Sequence, residues 1–529
     1  MYIRGIIEDM TFPKKAFVFN RYLVLGMFVL VKLLLGYLLV NPSYELHRDE
    51  FLHLDQGKHL AWGYVSVPPF TSWVSWIILQ LGNTVFWVKF FPSLFGALTL
   101  ILVWKTIESL NGKRFALVLG ATAVTFSVIL RINLLYQPNS FDILSWTCCY
   151  YILVRHIQTG NNKWLLIGAA TLALGFLNKY NIVFLVMGLL PAIVLTRHRV
   201  IFLNRFFYVA MALALLMLSP NLTWQYQQGF PVFHHLKILA ETQLVNVDRT
   251  GFLKEQLLYF IGSLFVIIAA LVAFVRYPPF FKYRLFGMSL VFTLCILLFL
   301  KAKGYYAIGL YPIYLAFGAV YIEYLISTGW LRYLRPVAVI TIVLLFIPLI
   351  KIAFPVNSAA VIQKDASTLQ RLGLLRWEDG KDHPLPQDFA DMLGWKELAH
   401  KTDSIVLLLN DQEATLLLCD NYGQAGAINY YSEIQGISAF SMNADYLDWF
   451  ELDTKEIRHV ILVKDIYDGD KQRTRERKFF NEVTLIDSIT NPFARERGTN
   501  LYLLKDATTS INSILRVEIL KRKKEASNY

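Results

Sequence analysis

Two adjacent carboxylates, Asp49 and Glu50, follow the first long apolar segment of the chain and come directly after His47 and Arg48. A carboxylate whose neighbours tune its pKa can serve as a general base, and a second carboxylate beside it can orient it. Both acids would equally be favoured in the first turn of a helix, because they interact with the helix dipole. Position alone does not choose between a catalytic pair and a helix N-terminus.

Two further ionisable residues stand at the ends of apolar segments. Asp142 lies where the chain re-enters such a segment. An ionisable group at membrane depth is costly unless it faces a cavity, so Asp142 is a candidate functional acid, with a helix N-terminal acid as the alternative. Lys179 lies between two short apolar segments. It could bind an anionic head group, or it could simply extend its ammonium group to the membrane surface.

A third group combines cationic and hydroxyl donors. Lys303 is followed closely by Tyr305 and Tyr306, and ammonium and hydroxyl groups together suit a phosphate. His234 and His235 could bind a metal or a phosphate, but no helical spacing of His and acidic residues accompanies them, which favours a structural role in a polar loop. The sequence contains no glycine-rich nucleotide loop, so a soluble nucleotide donor is not indicated.

The amino-acid composition of the chain indicates a membrane protein. Of 529 residues, 55% are hydrophobic and 17% are charged, whereas soluble domains carry roughly 25% charged residues. These figures exclude a disordered chain, a disulfide scaffold and an ordinary soluble enzyme. The net charge of +12 is attributed to basic loops at a membrane and not to nucleic-acid binding. Apolar segments of the length that spans a bilayer predict about eleven transmembrane helices, at 22–40, 86–107, 115–131, 140–157, 163–178, 180–196, 206–222, 257–275, 285–300, 306–326 and 336–354.

Basic residues are concentrated in alternate loops between these segments. The first loop of the basic set contains Lys14, Lys15 and Arg21. The positive-inside rule therefore predicts a cytoplasmic N-terminus. With an odd number of spans, the chain divides into a transmembrane module, 1–354, and a soluble tail, 355–529, which lies outside the cytoplasm.

Two outer parts of the chain are predicted to have structure of their own. The first outer loop, 41–85, contains two stretches, 50–62 and 70–82, that are typical of amphipathic helices at a membrane surface. The tail is less apolar and is predicted to form a small α/β domain. Its predicted strands are 404–409, 458–463, 483–487 and 501–504, and its predicted helices are 387–400 and 422–433.

Acids and cations at the outer face of such a protein fit two classes of function. One is an enzyme that uses a lipid-borne anionic donor. The other is a transporter or flippase of a lipid-linked or anionic substrate. A transporter is expected to carry charged residues near the bilayer midplane and to show internal repeats. The acids at the outer edge and the lack of an evident repeat in the sequence favour the enzyme.

Several short motifs, taken in order, resemble one family. They are Asp49-Glu50 after the first span, 63–70 with Trp73, Phe141-Asp142, 175–180, 304–306 with Tyr311-Pro312, and 421–428. Together they resemble the GT-C glycosyltransferases of the protein O-mannosyltransferase and aminoarabinose transferase type, the bacterial group of glycosyltransferase family 39. The resemblance covers nearly the whole chain. It implies an α-helical, multi-pass protein of the cell's inner membrane, of GT-C type, with an extracytoplasmic C-terminal α/β domain.

Enzymes of this type take a sugar from a polyprenyl phosphate and pass it to an acceptor at the outer face. The resemblance implies that Asp49 is the catalytic base, with Glu50 beside it and Asp142 as a second acid of the cavity. The residues implied for the donor phosphate are Arg48, Lys179, Lys303, Tyr305 and Tyr306. Relatives often carry a lysine directly before the proline pair, where this chain has Val67, so the phosphate must be held by other groups.

The expected chemistry is a single displacement at the anomeric carbon, which needs one base and inverts the configuration. The leaving group is already a phosphate and needs no acid, unlike the glycoside of a hydrolase. Cationic and hydroxyl donors can stabilise its developing charge. The mechanism requires no cofactor and no metal, and a divalent metal is left open. The sugar, a hexose or a pentose, and the acceptor, a lipid, glycan or protein, are not specified by the sequence.

Overall fold

The computed structural model describes residues 20–453 and 455–527, and Lys14 and Lys15 lie outside this part of the chain. Each of the eleven predicted apolar segments contains a helix. The helices up to residue 354 are α1 (Arg21–Leu38), α2 (Arg48–Gln56), α3 (Phe70–Gln80), α4 (Val85–Ser109), α5 (Arg114–Thr125), α6 (Val128–Ile132), α7 (Asn139–Thr159), α8 (Lys163–Asn178), α9 (Ile182–Val194), α10 (Arg205–Gln227), α11 (Pro231–Thr242), α12 (Arg249–Leu258), α13 (Leu264–Arg276), α14 (Arg284–Phe299), α15 (Pro312–Leu325) and α16 (Leu334–Ala353). Short 3-10 helices occur at Arg197–Leu203, Leu244–Asn246, Pro278–Tyr283, Gly304–Leu310 and Gly329–Tyr333.

Several of these helices are long and apolar enough to cross a bilayer. Among the described residues there are five by length and composition, and up to seven if two bent helix pairs each count as one span. The bent pairs are α9 with Arg197–Leu203, at 106°, and Gly304–Leu310 with α15, at 50°. Three further apolar helices, α5, α8 and α13, are shorter. The chain is therefore a multi-pass membrane protein, whereas the predicted number of eleven spans is not confirmed.

Helix α2 differs from the membrane-surface helix predicted over 50–62. It ends at Gln56, and its side chains from Glu50 to Gln56 are all buried. It contacts both α3 and the tail helix α21 (Tyr422–Tyr431). An amphipathic surface helix keeps one face in solvent, but α2 is covered on more than one side, so the prediction was wrong for this helix. Helix α3 occupies most of the second predicted stretch, 70–82.

The tail folds around a five-stranded sheet with the strand order β2-β1-β3-β5-β4. Strand β1 pairs in parallel with β2 and β3, and β5 pairs antiparallel with β3 and β4. The strands are β1 (Thr415–Cys419), β2 (Ala439–Ser441), β3 (His459–Lys464), β4 (Phe480–Ser488) and β5 (Asn500–Ala507). The helices are α17 (Ala359–Lys364), α18 (Ala366–Arg371), α19 (Gln387–Ala390), α20 (Trp395–Val406), α21 (Tyr422–Tyr431) and α22 (Ile511–Ser527), with 3-10 turns at Gln412–Ala414, Ala444–Asp448 and Glu476–Lys478. The predicted small α/β domain is confirmed.

Most elements predicted in the tail are present, and one is wrong. The strands at 458–463, 483–487 and 501–504 are confirmed as β3, β4 and β5, and the helix at 422–433 is confirmed as α21. The helix predicted at 387–400 is divided between α19 and α20, because the chain turns at Gly394 with φ +85°, a conformation that glycine adopts without strain.

The strand predicted at 404–409 lies instead at the end of α20. Its buried residues continue those of the preceding turns, Leu398 and Thr402 leading to Ile405, a spacing of three to four residues that belongs to a helix. Leu407 and Leu408, which a buried strand would cover, are 68% and 64% exposed. The parallel strand of this region is β1, a short apolar run with a partner strand on either side.

The tail and the outer loop are joined by backbone hydrogen bonds just beyond the last membrane helix. Asn41 N donates to Pro355 O (2.7 Å), and Glu45 N donates to Met392 O (2.8 Å). Glu45 also accepts hydrogen bonds from Trp395 N (2.6 Å) and Lys396 N (3.0 Å) at the start of α20. The division at residue 354 remains a prediction, but the first outer loop clearly packs on the tail.

Candidate active site

The capping of α2 determines where each of its first-turn acids points. His47 is the N-cap residue. Its ring Nδ1 accepts a hydrogen bond from Asp49 N (3.2 Å), and its backbone N–H donates to Glu50 Oε2 (2.6 Å). Successive residues of a helix point about 100° apart, so Asp49 and Glu50 face different surroundings. The helix N-terminus considered as an alternative is therefore present, and it separates the two acids.

Asp49 faces the junction between the membrane part and the tail. Its Oδ1 accepts a hydrogen bond from Tyr422 Oη (2.8 Å) at the start of α21, and its Oδ2 accepts one from Gln137 Nε2 (3.0 Å). The side chain remains 40% exposed. Burial raises the pKa of this carboxyl, but the neighbouring His47, the charge of Arg48 and the tyrosine hydrogen bond together outweigh burial and hold the pKa below its usual value. Asp49 is thus an ionised and accessible carboxylate.

Glu50 is fully buried, and both of its carboxylate oxygens are occupied by hydrogen bonds. Lys89 Nζ, from the second turn of α4, lies 3.1 Å from both carboxylate oxygens. Oε1 also accepts from Tyr136 N (2.6 Å), while Oε2 accepts from His47 N. Three donor groups thus make four hydrogen bonds to the two oxygens, and the carboxylate is satisfied as an ion. Glu50 therefore joins α2, α4 and the segment before α7, and it does not face the same space as Asp49.

A continuous chain of hydrogen bonds connects Asp49 to Lys179. Gln137 donates to Asp49 and accepts from Asn139 Nδ2 (2.9 Å), and Asn139 Oδ1 accepts from Lys179 Nζ (2.6 Å). Pro138 fixes the backbone between the two amides, and its carbonyl accepts from Asn178 Nδ2 (2.8 Å). Residues that are 130 positions apart in sequence are therefore held in one polar row.

Lys179 is positioned against aromatic rings and a buried acid. Its Nζ lies 4.5 Å from the ring centre of Tyr306 and 5.1 Å from that of Tyr305, within the range of a cation–π interaction. Asp142 is 5% exposed and accepts from Asn181 Nδ2 (2.7 Å) and from Trp146 Nε1 (2.9 Å). The same amide of Asn181 also donates to Tyr306 O (3.1 Å). Asp142 thus braces the tyrosine segment from within the bundle.

Lys303 and Arg48 are both engaged by the tail. Lys303 Nζ donates to Glu378 Oε1 (2.5 Å) and to Gln243 Oε1 (2.6 Å). Arg48 places its guanidinium 4.4 Å from the ring centre of Tyr422, on the tail side of Asp49. An anion that binds Lys303 must therefore compete with Glu378, whereas the partner of Lys179 in the polar row is the uncharged amide of Asn139.

The loop between α2 and α3, which carries the quoted motif 63–70, is clamped by one buried carboxylate of the tail. Asp445 is 3% exposed; its Oδ1 accepts from Val65 N (2.7 Å) and its Oδ2 from Gln56 Nε2 (2.7 Å). Tyr64 Oη closes the base of the loop by donating to Gln56 O (3.0 Å). Burial raises the pKa of Asp445 to about 6, although the two hydrogen bonds act in the opposite direction.

Four residues around Asp49, Glu50 and Lys179 were not identified as site residues from the sequence: Lys89, Gln137, Asn139 and Tyr422. Lys89 could have been suspected, because a lysine inside the predicted span 86–107 needs a partner. Tyr422 lies in the motif 421–428 and Gln137 lies outside all the motifs, and no local pattern indicates the contact of either residue with Asp49. In the part of the chain that the structure describes, no group of three His, Cys, Asp or Glu side chains is placed to hold a metal ion.

Comparison with known proteins defines the class. A family model described as dolichyl-phosphate-mannose-protein mannosyltransferase matches residues 66–224. ArnT from Cupriavidus metallidurans in the apo state aligns with a TM-score of 0.60 and 13% identity over 91% of this chain and 98% of that chain. The structure of ArnT bound to undecaprenyl phosphate aligns with a TM-score of 0.56, with the same identity and coverage. A search of curated proteins by sequence finds no match.

The chain is therefore a membrane protein with the GT-C fold. The resemblance to the GT-C glycosyltransferases that the motifs indicated is confirmed by the family model and by the alignment with ArnT over most of both chains.

The buried pair of Glu50 and Lys89 can be tested by a double substitution. We expect Glu50→Gln alone to lower the stability in detergent by about 3–5 kcal/mol, because it leaves the Lys89 ammonium buried without its counter-ion. Glu50→Gln combined with Lys89→Met should recover much of that loss. Thermal unfolding of the three proteins checks this. A single variant as stable as the wild type would contradict the assignment of Glu50 as an anchor.

The clamp at Asp445 predicts a pH dependence. Its folded pKa of about 6 exceeds that of an unfolded Asp, so its contribution to stability is complete below about pH 4 and is lost as the pH rises through 6. At about 1.4 kcal/mol per pKa unit, the loss amounts to about 3 kcal/mol. Measured against Asp445→Asn, which cannot titrate, the thermal midpoint of the wild type should fall between about pH 4.5 and pH 7.5. Parallel curves for the two proteins would refute the assignment.

Proposed function

We propose that the protein is an inverting glycosyltransferase that moves a sugar from a polyprenyl phosphate to an acceptor hydroxyl, with Asp49 as the base. The observation that carries this proposal is the polar row from Asp49 to Lys179, which joins an ionised, accessible carboxylate to a cation lying over two tyrosine rings. ArnT, whose fold this chain shares, binds undecaprenyl phosphate. The same class of lipid is the donor expected here.

In the proposed reaction one end of the polar row, Asp49, acts on the acceptor hydroxyl, and the other end, Lys179, acts on the leaving phosphate. The carboxylate of Asp49 takes the proton of the acceptor hydroxyl, whose oxygen then attacks the anomeric carbon. The bond from that carbon to the phosphate oxygen breaks, and the phosphate leaves with the electron pair. Lys179 and the hydroxyls of Tyr305 and Tyr306 stabilise the charge that develops on the phosphate. One displacement gives inversion, and the leaving phosphate needs no acid.

The other candidate residues take supporting roles in this proposal. Glu50 orients Asp49 through α2, since its own oxygens are occupied by Lys89 and backbone amides. Asp142 braces the segment that carries Tyr306 and balances the charge of Lys179. Lys303 joins the phosphate site when Glu378 releases it, and Arg48 contributes from the acceptor side. The sugar class and the acceptor class, a lipid, a glycan or a protein, are left to experiment.

The base assignment is tested by Asp49→Asn. The amide keeps the size of the side chain but cannot take a proton, so turnover should fall by ~10²–10⁴-fold with little change in thermal stability. Asp453→Asn, at an exposed aspartate of the tail, is the matched control and should keep wild-type turnover. Radiolabelled undecaprenyl-phosphate mannose and undecaprenyl-phosphate aminoarabinose, each offered to reconstituted protein with a membrane lipid extract, provide the assay.

Two outcomes of that assay would count against the proposal. Near-normal turnover of Asp49→Asn would remove Asp49 as the base. Label that crosses the liposome membrane on its lipid carrier, without any transfer to an acceptor by the wild type, would favour the transporter or flippase.

We further propose that the protein lies in the inner membrane with its N-terminus in the cytoplasm and its tail outside. The alternation of basic loops supports this orientation, and the contact of Asp49 with Tyr422 requires the tail to lie on the same side as the first outer loop. A reporter that fluoresces only in the cytoplasm should stay dark when fused after Tyr529 and should be bright when fused before Met1. The reverse pattern would invert the topology.

A further inference from the structure

A second concave region lies at the opposite end of the helix bundle from Asp49. Helix α1 begins there at Arg21 and ends near the outer loop, a length of about 27 Å for its 18 residues. Two adjoining cavities of about 680 and 420 Å³ open at this end. They share Arg114, Phe115 and Arg335, and the larger one is also lined by Lys113. No part of the proposed transfer reaction uses these residues.

The acidic residue of the larger cavity is turned into the protein. Glu323 is 8% exposed and accepts hydrogen bonds from three backbone amides at the start of α5: Lys113 N (2.6 Å), Phe115 N (3.0 Å) and Ala116 N (3.1 Å). Its negative charge therefore interacts with the N-terminus of α5 and not with the cavity. The basic side chains that line the same cavity, those of Arg21, Lys113, Arg114 and Arg335, outnumber it by three, four against one.

Arg335 is held at the boundary between the two cavities. Its Nε donates to Ile326 O (3.2 Å), and its guanidinium lies 5.4 Å from the ring centre of Phe115. Lys113 is exposed and lines the larger cavity together with Arg335.

The wall beyond the basic mouth is apolar and open to lipid. The smaller cavity is lined by Val118, Pro336, Val339 and Ile340. Ile340 is 53% exposed on α16, a helix that is mostly uncovered by the rest of the protein. In a multi-pass protein such a surface contacts acyl chains. The basic residues at the cavity mouth suit the head group of a phospholipid, and the apolar wall beside them suits its acyl chains.

From this combination we infer a binding site for an anionic phospholipid. The phosphate binds between Lys113 and Arg335, and an acyl chain lies along Val339 and Ile340. Basic pockets between transmembrane helices bind acidic head groups in this way, and guanidinium groups suit a phosphate because they offer paired donors. The occupant is a lipid of the surrounding bilayer and differs from the sugar donor, whose proposed phosphate site lies at the other end of the bundle.

Lipid retention by the full-length protein tests the inference. Protein reconstituted in vesicles of equal parts phosphatidylglycerol and phosphatidylethanolamine is released into detergent, and its bound lipids are measured by native mass spectrometry. We expect the wild type to retain phosphatidylglycerol in preference to phosphatidylethanolamine. Lys113→Gln combined with Arg335→Gln should lower this retention about fivefold or more for each charge removed.

Two controls keep the test decisive. Arg276→Gln removes an exposed basic residue elsewhere in the bundle and should retain lipid like the wild type. Lys113→Gln alone leaves all backbone bonds to Glu323 in place, so a loss of lipid in this variant cannot come from misfolding of α5. Equal retention by every variant, or no preference for phosphatidylglycerol, would overturn the inference. So would displacement of the lipid by millimolar inorganic phosphate, since a free anion would then be the occupant.

Discussion

The hydrogen bonds of the buried Glu50 carboxylate are the interaction on which the tail-facing half of the molecule depends. It fixes three separate pieces of chain at once: the start of α2 through His47 N, the second turn of α4 through Lys89, and the segment before α7 through Tyr136 N. An ion pair at such a depth is weak evidence for stability, because desolvation offsets most of the attraction. Its contribution here is to geometry, since the two oxygens bind all three donors only when the three pieces of chain meet at Glu50.

That arrangement explains why two adjacent acids can differ so much. The same helix turn that buries Glu50 directs Asp49 toward the junction with the tail, where burial is partial and the surrounding groups favour the charged form. From there the row of Gln137, Asn139 and Lys179 continues along the membrane part. Amides suit this task because each of them donates on one side and accepts on the other. The two amides therefore connect Asp49 to Lys179 without placing a further charge between them.

The sequence predicts much of this fold, for physical reasons that also mark its limits. Spans and strands are visible because burial imposes a period of 3.6 or 2 on apolar residues. The error at 404–409 has the same origin: a short apolar run is compatible with either period until its neighbours are known. Asp49 and Lys179 stand out as charges near apolar segments. Their connection does not, because the contacts of Gln137 and Tyr422 depend on how separate elements meet in space.

The site around Asp49 is built by two parts of the chain, because each carboxylate oxygen is bonded to a different part. Gln137 holds one oxygen from the membrane part, and Tyr422 holds the other from the tail. Lys303, which is proposed for the donor phosphate, repeats this division, since it belongs to the membrane part and is bonded to Glu378 of the tail. A carboxylate held by only one of the two partners would lose a hydrogen bond that favours its ionised form. Docking of the tail therefore helps to direct the side chain of Asp49 and adds one hydrogen bond to the neighbouring groups that favour its ionised form.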